Sequence, residues 1–244
     1  MTTPFVFAAM GTIVSIHTAQ PLDRPTQDAV LTVFADLEER FSLWRSDTEA
    51  SRFARGELTL REMSEEFRSV YDEAVTWRIA TDGAFTPHRP DGVVDLSGIV
   101  KAFAVRAAGR VLRTTGATDW CINAGGDVLT SGRQPDGSPW VVGIVDPQDR
   151  GALFTEFTTG EERWAVATSG IAERGEHIWR LGADDTFVQV TVCARDIVTA
   201  DVLATAILAG GPLALARAQE LDDIDVLACS AGERVWASAV FIAA

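Results

Sequence analysis

Val93-Val94-Asp95-Leu96-Ser97-Gly98-Ile99-Val100-Lys101 joins two elements, and its reading decides the fold. Val93 to Leu96 reads as a short strand. Ser97-Gly98 then opens a helix from about Ile99 to Arg113, with Gly116 just beyond its end. The junction has no G-x-G-x-x-G, and no G-x-x-x-x-G-K-[ST] occurs elsewhere. A Rossmann or P-loop nucleotide site is therefore not expected.

Working outward, helices and strands follow one another without regular alternation. Phe5 to Thr18 reads as one or two strands broken near Met10-Gly11. Gln27 to Phe41 places Val30, Val33, Phe34, Leu37 and Phe41 at helical spacing. Ser64 is an N-cap with Glu65 and Glu66 in the first turn of a helix to about Ala80, ended by Thr81-Asp82-Gly83. Asp119 to Ala124 is a strand that leaves by the tight turn Gly125-Gly126-Asp127. Further strands are expected at 140–145, 153–158, 164–168 and 187–194. Thr199 is the expected cap of a helix to Leu208, stopped by Gly210-Gly211-Pro212. Leu213 to Gln219 reads as another short helix. Val226–Cys229 and Val235–Phe241 read as a hairpin. The fold class is α+β, with mixed, mainly antiparallel sheets and packed helices in a single domain over residues 1–244.

The chain has 244 residues, 47% of them apolar and 23% charged, which suits a globular domain with a sizeable core. The net charge is −14. Nucleic acid is thus not an expected partner, and an anionic ligand needs a cation or a local cluster of donors. Met1-Thr-Thr-Pro-Phe5 has no basic start. Val198 to Leu208, the longest apolar candidate, carries Asp201 and is too short to span a bilayer. A cytoplasmic protein without a membrane anchor is expected. Cys121, Cys193 and Cys229 fit no disulfide framework or metal motif and read as buried free thiols.

Four segments set polar residues into otherwise apolar elements. At the opening junction, backbone N–H groups favour an anion. There Asp95 suits ring N–H or ribose hydroxyls and Lys101 suits a phosphate, although a capped helix with a solvated lysine accounts for the same residues. Asp201 and Thr205 are four apart and share one helical face. A carboxylate with a hydroxyl suits Mg²⁺; an acid in an exposed first turn is the alternative. Thr168-Ser169-Gly170 ends a strand, and His177 returns after a loop, without the G-x-S-x-G of a serine hydrolase. Asn123-Ala-Gly-Gly-Asp127 is a turn where backbone can approach a ligand closely.

In this order the segments resemble the FAD:protein FMN transferases, the ApbE family. The resemblance runs from Met10-Gly-Thr12 through Phe41-Ser-Leu-Trp-Arg-Ser-Asp-Thr-Glu-Ala-Ser-Arg-Phe53 to Thr81-Asp-Gly-Ala-Phe-Thr-Pro87. It continues through Val94–Lys101, Asn123–Asp127, Ala167-Thr-Ser-Gly170 with His177-Ile178, and Thr199-Ala-Asp-Val-Leu-Ala-Thr-Ala206. About residues 8 to 212 are covered.

The resemblance implies an ApbE-like, T-fold-related, two-lobed domain. It implies that FAD and Mg²⁺ are bound and that FMN is passed to a Ser or Thr of a target protein, with release of AMP. The implied metal ligands are Asp201, Thr205 and the Gly98 carbonyl. Met10, Trp44, Ala84, Phe85, Thr86, Asp95, Lys101 and Ile178 would line FAD. His177, or a nearby acid, is the candidate to take the proton of the attacking hydroxyl. The implied acceptor resembles Ser/Thr-Gly-Ala-Ser/Thr. Thr115-Gly-Ala-Thr118 echoes that motif in this chain but reads as a turn.

The departures are specific. Trp44 stands where the family often has Tyr, Ala102 for a glycine, Arg106 and Thr86 for acids, and no Asp-Pro follows His177-Ile178. Arg106 is a candidate to hold a phosphate in place of the lost acid. Two other readings keep the flavin: a binding or carrier protein without catalysis, and a diphosphatase giving FMN and AMP.

Overall fold

The computed structural model describes residues 3–160, 163–170, 187–232 and 234–242. Strands β1 (Phe5–Ala9) and β2 (Thr12–Thr18) form a hairpin whose two-residue turn is Met10-Gly11, so the break falls where it was expected. Helix α1 is Arg24–Phe41 and starts three residues early because Asp23 caps it, accepting the Thr26 N–H at 3.0 Å. The short helix α2 (Glu49–Ala54), capped by Thr48, was not expected. Helix α3 is Glu65–Ala80, capped by Ser64 as its sequence indicates.

Val93–Leu96 is not a strand. The segment pairs back on itself: Asp95 N–H donates to the Pro87 carbonyl, Arg89 N–H to the Val93 carbonyl, and only a single bridge joins His88 to Val94. Helix α4 follows directly at Ser97–Thr114. It ends in a Schellman cap on Gly116 (φ 87°), with Gly116 N–H on the Arg113 carbonyl and Ala117 N–H on the Leu112 carbonyl. Thr115–Thr118 is thus a helix cap, as read.

Strands β3 (Trp120–Ala124) and β4 (Asp127–Ser131) make a second hairpin around the expected Gly125-Gly126 turn; β4 itself is an element the sequence reading does not include. Strands β5 (Val141–Val145) and β6 (Leu153–Thr158) pair with each other. Strands β7 (Ala165–Gly170) and β8 (Phe187–Ala194) lead to helix α5 (Ile197–Leu221). Strands β9 (Asp225–Ser230) and β10 (Val235–Ala237) and helix α6 (Ala239–Ile242) complete the described elements. The expected strand 235–241 turns helical because Ser238 binds back: Val226 N–H donates to its hydroxyl and Phe241 N–H to its carbonyl.

Eight strands form one sheet in the order β1-β2-β3-β4-β7-β8-β9-β10, every neighbouring pair antiparallel. One face packs against α1, α4 and α5. On the other, Val128, Val166, Cys193 and Leu227 meet Ile144 and Phe157 of the β5–β6 ribbon and Phe241 of α6. The central strands are covered on both faces, which is why they read as continuous apolar runs. Burial pushes the thiol of half-buried Cys121 up to about 12 and those of buried Cys193 and Cys229 upward.

Helix α5 departs from its reading in a way that matters for the site. Its cap is Asp196, not Thr199: the Asp196 carboxylate accepts the Val198 and Thr199 N–H groups. The helix therefore begins earlier, and Asp201 lies in its second turn. The backbone kinks at Gly211 (φ 64°, ψ −149°) before Pro212 and then continues, so the two expected helices abut. By length and mean hydropathy (1.7) α5 is apolar enough to cross a bilayer, but 78% of that stretch is buried within the protein, the signature of a core helix.

Candidate active site

The helix starts, strand ends and hairpin turns around the α-helical face of the sheet enclose a cleft of about 1200 Å³. Met10, Trp44, Ala84, Phe85, Thr86, Asp95, Gly98, Lys101, Asp201 and Thr205 all line it. His177 and Ile178 lie outside the described residues.

Two tight turns form one wall. Met10 (φ 51°) and Gly11 (φ 71°) close β1–β2; Gly125 (φ 62°) and Gly126 (φ 96°) close β3–β4. Positive φ at both central positions is the hairpin geometry that matches strand twist. A Cβ on Gly125 would lie 2.3 Å from the Thr12 hydroxyl, so only glycine fits there. Met10 is not a glycine, and its conformation costs about 1 kcal/mol. Its N–H is held by the Glu38 carboxylate at 3.2 Å, which fixes the turn against α1. The Asn123 side-chain carbonyl accepts the Gly126 N–H and stiffens the second turn.

The floor is the start of α4. The N-cap position is Leu96, which offers no side-chain cap; Asp95, one residue earlier, accepts the Ser97 N–H at 2.9 Å in a local turn. The reading of this junction as a side-chain-capped helix therefore does not hold, and Asp95 borders the cleft. Lys101 is not solvated. It is only 6% exposed and pairs with Asp127, which is 0% exposed. The other Asp127 oxygen accepts the Thr168 N–H at 3.3 Å.

The back wall is α5. Asp201 is 3% exposed, which excludes an exposed first-turn acid. Thr205 lies one turn on, and its hydroxyl is 3.1 Å from that of Ser169 at the end of β7. Asp201, Thr205 and the Gly98 backbone border one cavity. Carboxylate, hydroxyl and carbonyl are all hard oxygen donors, the chemistry that suits Mg²⁺. Among the described residues no cluster of three or more His, Cys, Asp or Glu could cage a metal. The donor set fits an ion that completes its shell with water and ligand phosphates.

Trp44 borders the cleft and is 88% exposed; an indole is a type of side chain that stacks on planar rings. Arg45, Arg89 and Arg150 also border the cleft and were not singled out from the sequence. Nothing in their local spacing marks them, because three separate loops bring them together. The Thr86 hydroxyl, which replaces an acid of the family motif, accepts the His88 N–H at 3.1 Å and so secures the turn. Arg106 does not border the cleft. It lies over the Phe103 ring (4.4 Å) and faces Glu73 (3.5 Å) and Asp196 (3.7 Å), so it holds α4 to its neighbours and is no phosphate ligand.

The fold and site together define an antiparallel α+β domain with one cleft lined by Lys101, Asp95, Asp201 and Thr205. The chain belongs to the ApbE family, matching it over residues 10–88 and 88–228. A Haemophilus influenzae protein named FAD:protein FMN transferase is 23% identical over 251 residues, covering 76% of this chain and 72% of that protein. A Vibrio cholerae protein of the same name is 28% identical over 168 residues, covering 62% of this chain; the match spans half of that protein's length (50%). The solved flavin transferase ApbE from Vibrio cholerae superposes with TM-score 0.80 at 24% identity, covering 99% of this chain and 98% of that one. The apo flavinyl transferase ApbE of Pseudomonas stutzeri gives 0.79 at 19% identity, covering 99% and 96%. The α+β architecture read from the sequence is that of these structures.

Proposed function

We propose that this protein transfers the FMN half of FAD to a serine or threonine hydroxyl of another protein, with Mg²⁺ bound and AMP released. The observation that carries the reading is the buried Asp201 in the second turn of α5, with Thr205 beside it and both facing the cleft. A pure flavin binder has no use for that pair. The relatives' shared name supports the same substrate and the same kind of acceptor.

The chain's own residues divide the work. Trp44 offers an aromatic face to a flavin or adenine ring at the mouth. Lys101 offers its ammonium to a phosphate, and the α4 N-terminus adds backbone dipoles. Asp201, Thr205 and the Gly98 carbonyl would hold Mg²⁺, which neutralises charge on the transferring phosphoryl group when bound. In the reaction the acceptor oxygen bonds to the FMN phosphorus and the bond to the AMP oxygen breaks. The hydroxyl proton passes to His177 or a nearby acid.

Incubation of FAD with the protein, Mg²⁺ and a peptide carrying Ser/Thr-Gly-Ala-Thr tests this by chromatography of the nucleotides. AMP should appear with wild-type protein and not with Asp201→Ala. AMP accompanied only by free FMN would instead identify a diphosphatase, and intact FAD would leave a binding protein.

A further inference from the structure

We propose that Asp127 is a positioning residue: it aims the Lys101 ammonium at the phosphates of the bound dinucleotide. The inference rests on the reading of the cleft as a phosphate site. Lys101 borders the cleft, whereas Asp127 lies behind it, fully buried. The two come from separate elements, Lys101 from the first turns of α4 and Asp127 from the start of β4.

Asp127 is itself fixed. It follows the rigid Gly125-Gly126 turn, and its second oxygen is taken by the Thr168 N–H. The backbone of Thr168 leads directly to Ser169, which contacts Thr205. One carboxylate therefore ties the lysine to the strand end that borders the Asp201–Thr205 face.

A buried ion pair adds little net stability over a well-packed apolar pair, so stability alone is a poor reason for this one. A free lysine side chain is flexible and strongly hydrated. Anchored by one carboxylate, an ammonium with three N–H donors keeps two for another anion. Its direction is then set before the ligand arrives, and less entropy is lost on binding.

Riboflavin has the flavin ring without phosphates, so it separates this role from a merely structural one. FAD and riboflavin affinities are to be measured by flavin fluorescence for wild type, Asp127→Asn, Lys101→Met and the double variant. Asp127→Asn is expected to weaken FAD about tenfold or more, the scale of one charge-assisted hydrogen bond. Riboflavin affinity should stay within about twofold of wild type. The double variant should be no weaker than Lys101→Met, because the two residues act as one unit.

Unchanged FAD affinity in Asp127→Asn would overturn the proposal, as would losses that multiply in the double variant or an equal loss for riboflavin. If Asp127→Asn does not fold, Asp127→Glu carries the same comparison, since it keeps the charge and displaces it. Wild-type protein with no preference for FAD over riboflavin would overturn the phosphate-site reading itself, and this assignment with it. A wild-type preference that Asp127→Asn retains would overturn the role of Asp127 alone.

Discussion

The hydroxyl of Ser169 lies 3.1 Å from that of Thr205, joining the end of β7 to the face of α5 that carries Asp201. A threonine hydroxyl has one proton and two lone pairs. If Thr205 turns a lone pair toward a cation, its proton points elsewhere, and Ser169 is there to accept it. Outer partners of this kind orient metal ligands. Ser169→Ala should weaken Mg²⁺ affinity about tenfold, read from the Mg²⁺ dependence of AMP release and from direct Mn²⁺ binding. Unchanged metal affinity would leave the hydroxyl pair a packing contact.

Arg106 supplies a contrasting case. Its guanidinium is engaged by Phe103, Glu73 and Asp196 away from the cleft. Arg106→Ala should lower stability by about 1 kcal/mol, a fall in Tm of about 2–4 °C for a domain this size. FAD affinity should be unaffected. A selective loss of FAD binding would show that Arg106 reaches the ligand after all.

Gly109 on α4 tests how tightly the helix seats on the sheet. A Cβ there would approach the Trp120 ring to 2.8 Å and Leu129 to 3.2 Å. Helix propensity favours alanine, but overpacking a filled core costs about 1–3 kcal/mol and should dominate. Gly109→Ala is therefore expected to lower the denaturant midpoint. A rise would mean that Trp120 moves aside freely.

His88 makes stability pH-dependent near neutrality. Burial, and then the nearby Arg78, hold its imidazole below the usual 6.5, and its Nε2 lies 3.0 Å from the Tyr71 hydroxyl. The unfolded chain takes up the proton first as pH falls, so stability present above about pH 6.5 is lost as pH drops through the folded-state value. Melting curves from pH 8 to 5 should fall less steeply for His88→Gln than for wild type. Parallel curves would remove His88 from the account.

Much of this was legible in the sequence because it is local. The Ser64 cap, the break between strands at Met10-Gly11 and the i, i+4 pair Asp201/Thr205 each announce themselves within a few residues. Thr199 is the expected cap of α5, yet Asp196 takes that place; aspartate ranks above threonine as an N-cap, so the sequence itself carried the signal. The earlier cap places Asp201 in the second turn, buried, and not in an exposed first turn. Val93–Leu96 has strand-like residues but no neighbouring strand, and β propensity is met only by a partner. The Lys101–Asp127 pair, the Glu38–Met10 clamp and the arginines at the mouth join residues distant in the chain, which no local pattern reveals.

The central claim is covalent transfer, and the mass of the acceptor tests it most directly. An acceptor peptide incubated with the protein, FAD and Mg²⁺ should gain one FMN less one water, on its serine or threonine. The gain should be lost with Asp201→Ala or with a chelator. An acceptor of unchanged mass, with FAD bound and intact in the cleft, would contradict the account.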